Sequence, residues 1–382
     1  MNILDQQVLL EYFRHYYLFF TAAVFAGAFM LTFYLIPKVL WVSKEKNLMA
    51  AVNNRSAHTQ AVPTFGGVAF YITMILFLAL LQSMRLSYVG SHLIAAISIL
   101  FMVGLKDDLV VSTARVKLFG QIAASFFIIF SPELHLESLY GFMGMHEIPL
   151  LVGYIINTVI AIAIINAYNL IDGIDGLASL VGIVISLVYA WVFYGTGDPF
   201  YVLVSVSTAG ILAAFLRFNY SRGTRKIFMG DSGSLMIGLI LAFLTIKLLT
   251  MPISLPFLEQ GYSPANRLLF IACVLFIPVF DTLRVMIIRM IRGASPFSPD
   301  RNHAHHVIID LGLSHRRAGV FLALLNFLVI LVYTYFSSRL SHLWLVFLVV
   351  SIYASSFALF HFLKNNVRSA AQRSHSERVM EG

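Results

Sequence analysis

Five aspartates interrupt an otherwise apolar chain: Asp107 and Asp108 in GLKDDL, Asp172 and Asp175 in NLIDGIDGLA, and Asp231 in FMGDSGS. A further polar segment from Asp300 to His306, DRNHAHH, adds a basic and histidine-rich cluster. Carboxylates are costly near lipid, so an acid cluster at a membrane edge is a functional hypothesis by default. Acids that meet basic and histidine groups offer what a magnesium-dependent reaction on a phosphorylated substrate requires. The acids are hard oxygen ligands for the ion, and the bases are donors for phosphate.

Each segment has a functional and a bland reading. Asn169, Asp172 and Asp175 recur every three residues, a spacing that can line one face with oxygen-bearing side chains. Two Asp-Gly turns and a helix N-cap would account for one of those aspartates, not both. Asp107 and Asp108 follow an apolar run directly, at a helix end whose dipole disfavours acids. Such a pair suits metal binding, or a base whose pKa is raised by its partner. Asp231 sits among Gly230, Ser232 and Ser234, as either an N-cap or part of a metal–phosphate cradle. Arg222, Arg225 and Lys226 precede it and can pair with phosphates. His303, His305 and His306 have no cysteine nearby, and the oxygen ligands elsewhere favour magnesium over zinc. They read as donors to phosphate or sugar oxygens, anchored by Arg301. Val62–Gly67, VPTFGG, follows Arg55 and His58 and suits a tight turn with close backbone approach, or a plain helix start. Asp281 and Arg284 in PVFDTLR read as a buried i, i+3 ion pair.

The elements that must position these groups are membrane spans. The chain has 382 residues, 59% hydrophobic and 12% charged, with mean hydropathy +0.84; a soluble domain carries about 25% charged residues. The one cysteine, Cys273, excludes an internal disulfide and a cysteine metal site. Asp5 and Glu11 near the start, without a basic leader, do not read as a cleavable signal peptide. At about 20 apolar residues per span, candidates fall near 17–41, 65–84, 91–105, 117–131, 150–168, 176–195, 199–216, 233–250, 267–290, 317–337 and 341–363. The expectation is an all-α polytopic membrane protein of about eleven helices. It forms one domain over 1–365, with a disordered polar tail over 366–382. The segment 135–149 has room for a short hairpin.

Of 26 Lys and Arg residues, all but Arg14, Arg85, Lys247, Arg267 and Arg339 then fall on one side. The positive-inside rule makes that side cytoplasmic, which puts the N-terminus outside and the C-terminus inside. All five aspartates and the histidine segment share that side. The net charge of +8 is therefore topological first, and nucleic acid is not an expected partner.

In this order and on this side, the motifs from about His58 to His306 resemble the polyprenyl-phosphate N-acetylhexosamine-1-phosphate transferase superfamily, glycosyltransferase family 4. Pro296–His306 is similar to the bacterial undecaprenyl-phosphate GlcNAc-1-phosphate transferase branch, which starts O-antigen, teichoic acid and related glycans. The phospho-MurNAc-pentapeptide branch carries three consecutive histidines followed by an acid, where this chain has Val307-Ile-Ile-Asp310, and a lysine near the place of His58. The resemblance implies attack by undecaprenyl phosphate on the β-phosphorus of a UDP-N-acetylhexosamine, most simply UDP-GlcNAc, with release of UMP. It implies magnesium, or manganese, at Asp231 with Asp175, and Asp172 nearby. It sets Asp107 and Asp108 by the lipid phosphate, one of them a candidate base. It assigns substrate contacts to His58, Asn169, Asp172, Asp175, Asn219, Arg301, His303, His305 and His306. It further implies a bacterial inner membrane setting and allows a homodimer. Two rivals fit less well. A transporter would hold charge near the midplane, often with repeats. A CDP-alcohol phosphotransferase needs Ala-Arg after the first Asp-Gly and further aspartates that Gly176–Ser186 lacks.

Overall fold

The computed structural model describes Tyr12 and residues 15–48, 62–84, 86–110, 112–251, 264–296 and 302–381. Among them the regular structure is helical: α1 (Tyr17–Glu45), α2 (Gly66–Ser83), α3 (Val89–Leu109), α4 (Ala114–Ile129), α5 (Leu150–Ile171), α6 (Leu177–Thr196), α7 (Pro199–Asn219), α8 (Gly230–Thr250), α9 (Arg267–Val274), α10 (Phe276–Ile291), α11 (Ala304–Asp310), α12 (His315–Ser337) and α13 (His342–Glu381). The segment between α4 and α5 makes one antiparallel bridge, Phe142 to Met145, closing the small hairpin-like turn expected there.

Nine of the described helices are long and apolar enough to cross a membrane, and α9 with α10 makes a tenth if that bent pair is one span. The remaining expected span, 117–131, coincides with α4, which has 16 residues. At about 1.5 Å per residue it falls short of a full crossing by itself. Helices apolar all round belong in the interior. For α8, 89% of its most apolar window is buried, against 17% for α1 and α13, so α8 is the axis and those two lie at the rim.

The break between α9 and α10 has a local cause. Pro278 cannot donate a backbone hydrogen bond, and its ring crowds the carbonyl four residues earlier, that of Val274. The two halves turn by 75°. In lipid the freed backbone groups need partners, and Asn326 of α12 supplies both. Its Oδ1 accepts the Ile277 N–H at 2.8 Å, and its Nδ2 donates to the Val274 carbonyl at 3.0 Å.

The C-terminal stretch departs from expectation. The polar segment read as disordered continues α13 as helix to Glu381. Between Lys364 and Glu381 there is no Gly or Pro, so nothing in the backbone stops a helix already started in the span.

Candidate active site

The end of α3 and the start of α8 meet through Asp108. Its carboxylate accepts the N–H of Asp231 at 2.8 Å, the N–H of Ser232 at 3.1 Å and the Ser232 hydroxyl at 2.6 Å. The orphan amides that open α8 are thus capped by a carboxylate from another helix. Asp231 is not the cap of its own helix: the N-cap position is Met229, with no side-chain bond. Gly230 makes the approach feasible. Its φ is +72°, and a Cβ there would collide with the Thr64 carbonyl and lie 2.7 Å from Asp108 Oδ2. The VPTFGG segment closes the other flank. Gly66 and Gly67 donate their N–H groups to the carbonyls of Phe228 and Met229, each at 3.0 Å, and Phe228 N–H donates to Pro63 at 2.9 Å. These amides brace the FMGD segment.

With the helix capped by Asp108, the Asp231 carboxylate turns to side chains. Its Oδ2 pairs closely with the Lys117 ammonium, which also lies 2.8 Å from Asp107 Oδ2. Its Oδ1 accepts from Asn169 Nδ2 at 3.0 Å, and the same nitrogen donates to Ser234 Oγ at 2.7 Å. Asp107 also accepts the Ser112 N–H at 2.6 Å, which fixes the loop into α4. One ammonium therefore joins carboxylates from α3 and α8, beside an asparagine from α5. An amide pair one turn away holds this register. Gln121 of α4 and Asn166 of α5 exchange hydrogen bonds at 3.0 and 2.8 Å. Lys117 was not among the residues expected from sequence, where it counted only toward topology. The available signal was a lysine in the first turn of an apolar helix, directly after the Asp107–Asp108 loop.

The NLIDGIDGLA segment does not carry its three side chains on one helical face. Asn169 lies in the last turn of α5, Asp172 is its C-cap, and Asp175 lies beyond it in the turn to α6. Glycines at 173 and 176 end the helix, so the three-residue period holds only from Asn169 to Asp172. Asp172 keeps part of its surface open, yet burial pushes its carboxyl well above the usual range. The charges of Asp231, Asp108 and Asp175 add to that. Asp175 diverges: its Oδ2 pairs with Lys226 Nζ at 2.6 Å, and His315 Nδ1 lies 4.0 Å away. Asn219 is buried, accepting the Gly176 N–H at 2.6 Å and donating to the Ile227 carbonyl at 3.0 Å. It ties this turn to the segment leading into α8.

The histidine segment reaches the same end. A Cβ on Gly173 would lie 2.5 Å from His305 Nε2, so the imidazole packs directly on the aspartate turn. The His303 and His305 rings stack with centroids 5.6 Å apart, and His306 lies 4.3 Å from His305. Burial pushes the His305 imidazole down to about 3, against the opposing pull of Asp281, which makes it a neutral ring at physiological pH. Asp281 and Arg284 depart from the expected mutual pair. The Asp281 oxygens meet His303 Nδ1 at 2.9 Å and the Ala304 N–H at 2.6 Å, and Arg284 donates to the Asn302 carbonyl at 2.5 Å. The start of α11 lies against α10 and puts those partners closer than the neighbour one turn along. His58 and Arg301 lie outside the described residues.

The residues fit a magnesium ion in one respect and leave it incomplete in another. Asp107 and Asp231 already face a single cation, and Asn169 adds an amide beside them. Among the described residues, no group of three or more His, Cys, Asp or Glu side chains forms a cage. That matches magnesium bound by one or two carboxylates, with waters and substrate phosphates completing the shell.

Comparison with known proteins places this geometry. A profile described as glycosyl transferase family 4 matches residues 91–249, which span α3 to α8 and hold all five aspartates. The decaprenyl-phosphate N-acetylglucosaminephosphotransferase of Mycolicibacterium smegmatis is 30% identical over 321 residues, covering 78% of this chain and 77% of that protein. The chain belongs to glycosyl transferase family 4. Two more relatives are named undecaprenyl-phosphate alpha-N-acetylglucosaminyl 1-phosphate transferase. The one from Escherichia coli is 28% identical over 74% of this chain and 75% of its own. The one from Yersinia pestis is 28% identical over 80% of each. Membership extends over most of the chain, beyond the region of the five aspartates.

Proposed function

We propose that this protein transfers N-acetylglucosamine 1-phosphate from UDP-N-acetylglucosamine to a polyprenyl phosphate, undecaprenyl phosphate in a bacterial inner membrane, releasing UMP. The observation that carries the reading is the meeting of Asp107, Asp108, Lys117, Asn169 and Asp231, from four helices, at one end of a membrane bundle. A lipid nucleophile and a water-soluble nucleotide sugar can meet only at such an edge. In the reaction, a phosphate oxygen of the lipid forms a bond to the β-phosphorus while the bond to the bridging oxygen of UMP breaks. Phosphoryl transfer of this kind rests on positioning and on neutralising the nonbridging oxygens.

Magnesium, when bound, would supply that neutralisation. Asp231 would hold it, with Asn169 and Asp107 against it. Lys117 spans the two carboxylates and is placed to pass its charge to the pyrophosphate as substrate enters. Asp108 spends both oxygens on the start of α8, so its part is to fix Asp231, and Asp107, paired with Lys117 and the Ser112 N–H, is poorly set up as a base for the lipid phosphate. That phosphate is largely ionised already, which leaves a base little to do. Asp175 with Lys226, and the histidines behind Gly173, form the nucleotide-sugar side. The aspartate end faces the cytoplasm in this reading, where UDP-sugars are made, and the C-terminus shares that side.

The test offers the purified protein undecaprenyl phosphate and a panel of radiolabelled UDP-sugars. Lipid-linked sugar diphosphate and free UMP are expected with UDP-GlcNAc, and both should vanish with excess EDTA and return with magnesium. Product from none of the sugars would overturn the function, and activity in EDTA would overturn the metal. A reporter fused after Gly382 that is active only outside the cytoplasm would reverse the orientation.

A further inference from the structure

The proposal starts from a carboxylate inside an apolar helix. Asp281 of α10 is 2% exposed, and the two residues before it are Val279 and Phe280. A charge in such a place needs specific partners to be tolerated. Both of its oxygens are spent on the histidine segment, on His303 Nδ1 at 2.9 Å and on the Ala304 N–H at 2.6 Å. The backbone contact fixes where α11 begins. The side-chain contact fixes the rotation of the His303 ring and places the proton of Nδ1 toward Asp281, which leaves Nε2 as the acceptor nitrogen of the neutral ring. His303 is buried as well and stacks on His305, which rests on Gly173 beside Asp172. A path of direct contacts thus runs from a span outside the aspartate cluster, through two imidazoles, to the aspartate turn.

We propose that Asp281 is a positioning residue for the transfer reaction, acting through His303. It sets the tautomer and orientation of the His303 imidazole and anchors the start of α11, so that the histidine segment is held against the aspartate turn before substrate arrives. This rests on the reading that the segment handles the nucleotide sugar. Partners that orient a functional imidazole are characteristically acidic or carbonyl oxygens on its second nitrogen, and where the imidazole binds a metal their loss costs about 10- to 100-fold.

A double-mutant cycle on the full-length protein separates this role from a plain structural one. The four proteins are wild type, Asp281→Ala, His303→Ala and the double variant, each assayed for kcat and KM with UDP-GlcNAc at saturating lipid. Asp281→Ala should lower kcat/KM by about 10- to 100-fold. In the His303→Ala background the same change should cost less than about threefold, because residues acting as one unit are not additive. Asp281→Asn keeps an oxygen for the Ala304 N–H and preserves shape, so it serves if the alanine variant does not fold. It should recover part of KM while kcat stays low, since its amide would face Nδ1 as a donor and force the other tautomer. Fully additive losses would overturn the proposal, as would wild-type kinetics in Asp281→Asn or in His303→Ala. A wild-type protein that makes no lipid-linked product would instead refute the transferase reading itself.

Discussion

Helix α8 joins two polar ends that use charge in opposite ways. At its far end Glu133 sits among several donors, with Asp198 as a second acid nearby. Tyr201 Oη donates to it at 2.9 Å and Ser87 Oγ at 3.2 Å, and Lys247 lies 3.8 Å away over the Tyr201 ring. Arg267 nearby donates to the carbonyls of Leu248 and Met251, and Tyr140 to that of Thr250. At the near end, about 30 Å away by helical rise, five aspartates gather around the ammonium groups of Lys117 and Lys226. The first end matches acid with donors and is finished as it stands. The second crowds acids together, and burial with the charges of Asp231, Asp108 and Asp175 pushes the Asp172 carboxyl up. Membrane proteins tolerate either arrangement, and the proposed reaction gives only the second a ligand.

The contrast can be tested by changing one group at a time. The largest effect should come from Asp231→Asn, which leaves the Asp108 cap intact and so keeps the fold. Turnover should fall by at least about 1000-fold, the upper range for losing one key electrostatic group, while the melting temperature in detergent holds. Unfolding of this variant would mean that Asp231 serves the fold and not the chemistry. Lys117→Met should come next, with kcat down by about 100-fold and the magnesium requirement altered in titrations. Kinetics close to wild type would show that the ammonium merely shields Asp107 from Asp231. Arg301→Ala and His305→Ala should each cost about 100-fold with metal dependence unchanged; near-wild-type kinetics in both would reduce the histidine segment to a structural loop. The smallest effect belongs to the far end. Glu133→Gln should leave kcat and KM within about twofold and weaken folding by about 1 kcal/mol or less, the range for a partly exposed ion pair. A large kinetic loss from Glu133→Gln would erase the distinction between the ends.

Much of the architecture was legible in the sequence, because hydropathy reports directly on spans. The aspartate motifs were legible too, since five acids in a chain this apolar need a reason. What stayed hidden was pairing across helices. Spacing suggested that Asn169, Asp172 and Asp175 share a face, yet Gly173 and Gly176 end the helix and send Asp175 to Lys226 instead. Asp231 read as a possible cap, while the cap is Asp108 from 123 residues earlier. Asp281 suggested a local pair with Arg284 because i, i+3 partners are visible in a string and His303 is not. Lys117 had no motif around it at all. In each case the deciding partner lies far along the chain on another element or loop, and one-dimensional periodicity carries no record of it.

The bend at Leu275 has a consequence for how the protein is assembled. The break before Pro278 leaves two backbone groups open inside an apolar segment, and the side chain that satisfies them, Asn326, is made about 50 residues later. A chain emerging from its N-terminus therefore inserts the α9–α10 elbow before its keeper exists, and domains form in the order they are synthesised. The contacts among Asp107, Asp108, Lys117, Asn169 and Asp231 involve nothing beyond Ser234, so they can close early. His303 and His305 follow α10 in the chain, so they are built after the aspartates whose turn His305 packs against.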